Sequence, residues 1–357
     1  MLAIEQAVAA PYATSRLAQD GARVIKVERP GGDFARGYDR AAAGQSSYFV
    51  WLNAGKESLT LDLRDADDLA LARRIAARAD VLIENLAPGA LTRLGLDPAQ
   101  LRATHPGLIT CSISGYGTGH AYETARAYDL LVQAETGLCD VTGSAEAPGR
   151  VGFSVADIAC GMQAYAAILK ALIARGRTGE GRHIALSLFS SVAEWMAVPY
   201  LQAAAGSPPA RVGVAHPSIA PYGVFRLADG TRLLIAVQSE REWQRLEPEL
   251  LGPPDPRFAS NVERVANRPA LDAAIAARLA EMNVAEAEGL MSRCAIAHAR
   301  LRDVTDALDH PALTRHEVVT PNGPIDLPRP ATGLPEREGL TVPDAGAQTD
   351  AIRTEFS

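Results

Sequence analysis

The sequence predicts an α/β protein with an open, mostly parallel sheet domain and a smaller α+β domain. Three observations carry this. The 357 residues supply material for about two domains. The first half alternates strand-like and helix-like segments joined by short turns, the pattern of a parallel sheet with helices on its faces. A Pro- and Gly-rich stretch over 204–221 then precedes a hairpin and several helices.

In chain order, residues 23–28 (RVIKVE), 81–84 (VLIE) and 108–112 (LITCS) read as strands, and 65–78 carries helical periodicity. A long helix starts at Ser154 and runs to about residue 174, apolar nearly all round and therefore expected to be buried. The glycines of 175–182 (RGRTGEGR) end it, and 183–188 is a strand. Beyond the linker, 222–226 and 233–237 form a hairpin about the turn 228–231. Helices follow over 240–250, 268–281 and 284–291. The expected division is a large domain over 1–203, linkers and a small domain over 204–320, and a C-terminal segment over 321–357 that returns to the large domain. The stretches 204–221 and 318–335 are long enough to reach a partner subunit.

Composition narrows the function. Apolar residues at 47% and charged residues at 22% exclude global disorder. A net charge of −7 gives no basic footprint for nucleic acid or an anionic membrane, and 5% aromatic content leaves little for base stacking. The N-terminus has no basic region before its apolar stretch, and no uninterrupted apolar run of about 18 residues suggests a membrane span. Cys111, Cys139, Cys160 and Cys294 are widely spaced and the histidines show no i, i+4 pairing. A disulfide framework, structural zinc or catalytic metal is therefore not expected, and a cytoplasmic location fits.

Two motifs are decoys. The run from Gly115 to Gly119 follows a strand like a dinucleotide fingerprint, but His120 stands where the pattern breaks. Gly152-Phe-Ser154-Val-Ala156 approaches a nucleophile elbow, yet a serine opening a helix is more often a cap. Asp157, at the third position of that helix, carries more weight. Its plain reading is a capping box with Ser154. Its functional reading is a carboxylate stabilised by the free amides of the helix start, with Gly161 on the same face leaving open space above it. An ionised, partly desolvated carboxylate facing a gap is a competent nucleophile.

Several stretches together resemble the family III CoA-transferases, a group that includes formyl-CoA transferase, carnitine CoA-transferase and alpha-methylacyl-CoA racemase. They are Pro11, Gly21 to Pro30, Gly32 to Arg36, Asn53 to Leu63, Glu84 to Gly89, Tyr128 to Gly137, Thr142-Gly143, the Asp157 helix and Thr178 to Gly181. The resemblance implies a Rossmann-like sheet and an interlocked homodimer. It implies acyl-CoA and a free carboxylic acid as substrates, with no permanently bound cofactor. It places the nucleophile at Asp157 and the CoA contacts near Val8, Ala9, Arg29, Asn85, Leu86, Arg93 and Arg126. Members usually have several residues before the equivalent of Leu2, so the opening strand is expected to be short or frayed.

The resemblance also implies the chemistry. Carboxylate attack on a thioester gives a mixed anhydride and then an aspartyl-CoA thioester. Oxyanion donors are expected from amides at the helix start or near Gly137. The racemase branch has a His before its aspartate, whereas Tyr128 precedes Asp129 here. A tyrosine titrating near pH ~10 is a poor base, which favours transfer, although Tyr128 can still orient substrate. The chain looks closer to members acting on C4–C5 dicarboxylates such as mesaconate, itaconate or citramalate, for which Arg36 or Arg40 would receive the distal carboxylate. The alternatives are a racemase-like epimerase or a non-catalytic CoA-binding protein.

Overall fold

Short strands buried on both faces build the centre of the first unit's sheet, as parallel strands require, while its edge at 183–187 exposes His183 and Ala185. The strands are β1 (Leu2–Ile4), β2 (Ile25–Glu28), β3 (Glu57–Thr60), β4 (Val81–Glu84), β5 (Ile109–Ser114) and β6 (His183–Ser187), in the spatial order β3-β2-β1-β4-β5-β6. Every pairing is parallel. The connections carry α1 (Ala9–Gln19), α2 (Ser47–Asn53), α3 (Ala66–Arg78), α4 (Ala90–Arg93), α5 (Pro98–Thr104), α6 (Asp129–Glu135), α7 (Leu138–Val141) and α8 (Val155–Thr178). After β6 come α9 (Leu188–Trp195) and α10 (Ala197–Ala204).

The computed structural model describes residues 1–331 and 337–357. They form two compact units, one of 1–139, 150–201 and 314–357, the other of 140–149 and 202–313. Short as it is, β1 is central rather than frayed. Leu2 and Ala3 are fully buried and pair with β2 on one side and β4 on the other. The strand order reverses between β1 and β4, and open α/β sheets hold their ligands beyond the carboxyl ends of such a pair.

Helix α8 departs from the all-round burial expected of it. Ala156, Ala159, Cys160, Ala164, Ile168 and Ala171 face the core, while Met162 and Ile173 are exposed. It is also the one helix among the described residues long and apolar enough to cross a membrane, which the search for an uninterrupted apolar run does not reveal. Its packing on α1, α6, α9, β5 and β6 is that of a core helix. Gly161 has a different reason from the one expected. A Cβ there would stand 2.6 Å from the Ala9 carbonyl oxygen and 2.9 Å from Tyr12 Cβ, so the glycine lets α1 cross α8 closely. The helix ends on Gly179 in the left-handed region, with φ 75°.

In the second unit β7 (Tyr222–Arg226), β8 (Arg232–Ala236) and β9 (Ala297–Arg300) form an antiparallel sheet. It packs with α11 (Glu240–Leu250), α12 (Asn261–Ala266), α13 (Arg268–Leu279) and α14 (Val284–Arg293) around Trp243, Leu246, Leu271 and Met291, and α15 (Val304–Leu308) follows. The stretch expected as a linker over 318–335 is, in its described part, the hairpin β10 (Arg315–Thr320) and β11 (Gly323–Pro328) of the first unit. Residues 332–335 of it lie outside the described residues. The chain then reaches β3, where Gln348 and Thr349 bond the backbone of Ser58 and Thr60, and α16 (Thr349–Glu355) follows. Ile352 and Phe356 join the core of Leu61, Leu71 and Ile75.

Candidate active site

Where the strand order reverses, the loops after β1 and β4 grip each other. Gln6 N donates to Asn85 Oδ1 at 2.9 Å, and Asn85 Nδ2 donates to Gln6 O at 2.8 Å. The next residue, Ala7, has φ 59°, a strained conformation for a side chain with a Cβ. It is held by a 3.4 Å bond from its N–H to Asp33 Oδ1. Asp33 is fixed by the buried Lys26, 2.9 Å away, and Lys26 lies 3.6 Å from Glu5, which Lys56 pairs at 2.7 Å. These lysines and carboxylates are fully buried and mutually compensated, the condition under which a protein tolerates interior charge. The loop that enters α1 thus rests on an ionic floor. Among the described residues no side chain caps α1, so the N–H groups of its N-cap Val8 and first residue Ala9, which line the cavity above, are available to an anionic ligand.

Above this floor lies a cavity of about 550 Å³. It brings together Val8, Ala9, Asn85, Leu86, Arg126, Tyr128 and Asp157, seven of the residues expected at the site, and adds Phe34, Tyr38, Tyr48, Asp129 and Arg150. A second cavity of about 500 Å³ shares Gln6, Phe34 and Leu86 with the first and contains Arg29 and Arg64. Asn85 lines the cavity, but both ends of its amide are engaged by the Gln6 backbone. Its observed work is to hold the loop.

The start of α8 corrects the expected cap. Ser154 makes no side-chain cap bond. Asp129, at the start of α6, takes its place: Oδ1 accepts from Ala156 N at 2.7 Å and from Asp157 N at 3.4 Å, and Oδ2 accepts from Gln133 Nε2 at 2.7 Å. Buried Gln133 also receives Val151 N on its Oε1 at 2.9 Å. The Asp157 carboxylate is left without a hydrogen-bond partner among the described residues, half-buried on the cavity wall. Burial, and then the charge of Asp129, push its pKa up to about 7. The helix start therefore does not stabilise the ion as expected, because another carboxylate already occupies its amides. Nor does it offer oxyanion donors, and Gly137 N is bonded to Ala134 O at 3.1 Å. Tyr38 keeps its proton, its pKa raised to about 12 by burial and then by the charges of Asp33 and Asp157.

Other expected residues lie elsewhere. The Arg36 guanidinium bonds both oxygens of Glu28 at 2.8 and 2.7 Å, reaches Pro343 O and stacks on Phe49, so it has no place for a substrate carboxylate. Arg40 is exposed and bonds Arg36 O at 2.8 Å, outside the cavity. Arg93 bonds Pro88 O at 3.2 Å, and Arg29 bonds Gly32 O at 3.3 Å while lining the second cavity. Gly137, with φ 76°, follows α6 and lines neither cavity. The sequence reasoning missed Tyr38, Tyr48 and Arg150, which no local motif marks. It also missed the cap by Asp129, although the i, i+4 pair Asp129 and Gln133 was a readable sign of a linked side-chain pair. Among the described residues no His, Cys, Asp or Glu cluster could hold a metal ion.

The model of CoA-transferase family III matches residues 1–340. The chain belongs to that family. It is 34% identical over 361 residues to the acetyl-CoA:oxalate CoA-transferase of Acetobacter aceti, covering 97% of this chain and 92% of the relative. The succinyl-CoA:mesaconate CoA-transferase of Haloarcula hispanica is 31% identical over 372 residues, covering 99% and 92%. The crystal structure of a CaiB/BaiF family protein from Brucella suis superposes with a TM-score of 0.85 at 33% identity, over 100% of this chain and 98% of that one. This family III member is thus an enzyme that transfers CoA, with the CoA thioester as its co-substrate.

Proposed function

We propose that this family III CoA-transferase moves CoA from an acyl-CoA to a small dicarboxylic acid through covalent intermediates on Asp157. The observation that supports this most is the unpartnered Asp157 carboxyl on the wall of a cavity that shares Gln6, Phe34 and Leu86 with a second, arginine-bearing one. In the free enzyme a pKa near 7 leaves a large fraction ionised at neutral pH, and the poorly solvated ion is a strong nucleophile. It attacks the thioester carbonyl carbon, the C–S bond breaks and CoA thiolate leaves. The thiolate then attacks the aspartyl carbonyl of the mixed anhydride, releasing the donor acid and leaving an aspartyl-CoA thioester. The acceptor carboxylate attacks that thioester, and the returning thiolate takes the acceptor acyl group and restores Asp157. No proton is gained or lost overall. The open amides of α1 and the Tyr38 hydroxyl are the donors available for the oxyanions. Arg29 in the second cavity, with Arg126 in the first, suits the phosphates of CoA, whereas Arg64 is already paired with Asp62. The dicarboxylate preference draws on relatives named for succinate with glutarate, mesaconate and citramalate.

Mass analysis during turnover, or trapping with hydroxylamine, is expected to find the adduct on Asp157. Asp157→Asn is expected to lower exchange by on the order of 10⁴-fold or more. An adduct elsewhere, or retained exchange, overturns the mechanism. A racemase would need a second base, and Asp129 has both oxygens engaged while Tyr128 stands two-thirds exposed. Solvent deuterium entering the α-carbon would reverse that judgement. A homodimer is part of the proposal: Met162, Ile173, Trp195, Val198 and Leu201 leave apolar surface on α8 to α10 that a second copy would cover, which light scattering tests. The four free cysteines suit a reducing, cytoplasmic setting.

A further inference from the structure

We infer that Arg150 reads the second carboxylate of the acid substrate and so selects dicarboxylates over monocarboxylates. The inference rests on the reading of Asp157 given above. Arg150 is exposed at the rim and lines the same cavity as Asp157. Its Nε donates to Val151 O and its Nη2 to Gly152 O, each at 3.0 Å. These bonds fix the guanidinium without neutralising it, because carbonyls carry no net charge. They occupy the Nε–Nη2 edge and leave the Nη1–Nη2 edge free, a fork that matches the two oxygens of a carboxylate. Among the described residues Arg150 has no ion-pair partner. Arg36, by contrast, is neutralised by Glu28.

Position supports the same role. Val151 N donates to Gln133, Gln133 donates to Asp129, and Asp129 accepts the first amides of α8. A chain of hydrogen bonds therefore runs from the segment bearing Arg150 to the helix start bearing Asp157. The fold sets the separation of the two groups, as recognition of one small acid at two points requires. A dicarboxylate presents one end to the reacting centre while its other end compensates the guanidinium. A monocarboxylate of the same length leaves the guanidinium to water and gains no second ionic contact.

The test uses acetyl-CoA as a donor without a second carboxylate, with succinate and butyrate as acceptors. In Arg150→Met the KM for succinate is expected to rise roughly 10- to 100-fold. The succinate-to-butyrate ratio of kcat/KM falls with it, and the KM for acetyl-CoA holds. Arg150→Lys, which keeps the charge but not the fork, is expected to recover part of the ratio and guards against a loss caused by misfolding. An unchanged ratio in both variants overturns the inference. An equal rise in the KM for acetyl-CoA also overturns it, by assigning Arg150 to the CoA phosphates. Mass analysis keeps the two failures apart. An acetyl adduct on Asp157 with unchanged selectivity removes Arg150 alone, whereas no Asp157 adduct in the unaltered protein removes the transfer mechanism and this inference with it.

Discussion

Two carboxylates share one helix start, and their rivalry sets the pH response. Asp129 holds the amides, so Asp157 meets desolvation and a like charge instead of the dipole. The nucleophile must be ionised, so kcat/KM with an acyl-CoA is expected to rise with pH and level off above about 7. Below that it should fall about tenfold per unit. Asn at position 129 still accepts from the amides but carries no charge, so Asp129→Asn is expected to move this limb to lower pH. A rate profile of both proteins between pH 5 and 9 checks the sign. The sequence made Asp157 legible as a carboxylate opening an apolar helix. Its proton affinity was not legible, because the competing cap comes from α6, a partner fixed by tertiary packing 28 residues away. Arg36 misled for a similar reason: a guanidinium near a site reads as a ligand until its neighbour, Glu28, is seen bonded to it.

At the level of elements, periodicity exposed most of the strands and long helices, since each carries its own apolar pattern. Among the strands it left unread β3 (ESLT), β9 (AHAR) and the hairpin β10–β11, polar stretches whose pairing is decided by neighbours, and among the longer helices it left unread α1. The crossing of α1 over α8 also bears on the chemistry, since the first residues of α1 line the cavity and α8 carries Asp157. Gly161→Ala is expected to force these helices apart and lower stability by about 1–3 kcal/mol, measured by urea unfolding. The KM for acyl-CoA should rise as well, because the open amides of α1 move with the helix. A variant of unchanged stability and KM would show that the crossing has slack.

On the scale of the whole chain, the first unit is discontinuous: residues 314–357 complete a core begun by residues 1–139 and 150–201. Ile352, almost fully buried, joins Leu61, Leu71 and Ile75, and Arg23 bonds Glu355 at 2.7 Å. Ile352→Ala is expected to reduce stability by about 2–4 kcal/mol, read as a lower urea midpoint, even though it lies in the short helix α16, far along the chain from the core it completes. This joining has a temporal consequence. A ribosome makes the chain from its N-terminus, so the strands around Leu61 emerge early and wait without Ile352 and Phe356 while all of residues 202–313 are made. Nascent chains stalled at residue 340 should therefore stay sensitive to protease across the first unit, while released chains that include residues 341–357 resist. The first unit therefore closes only after the second, which interrupts it in the chain, has been made.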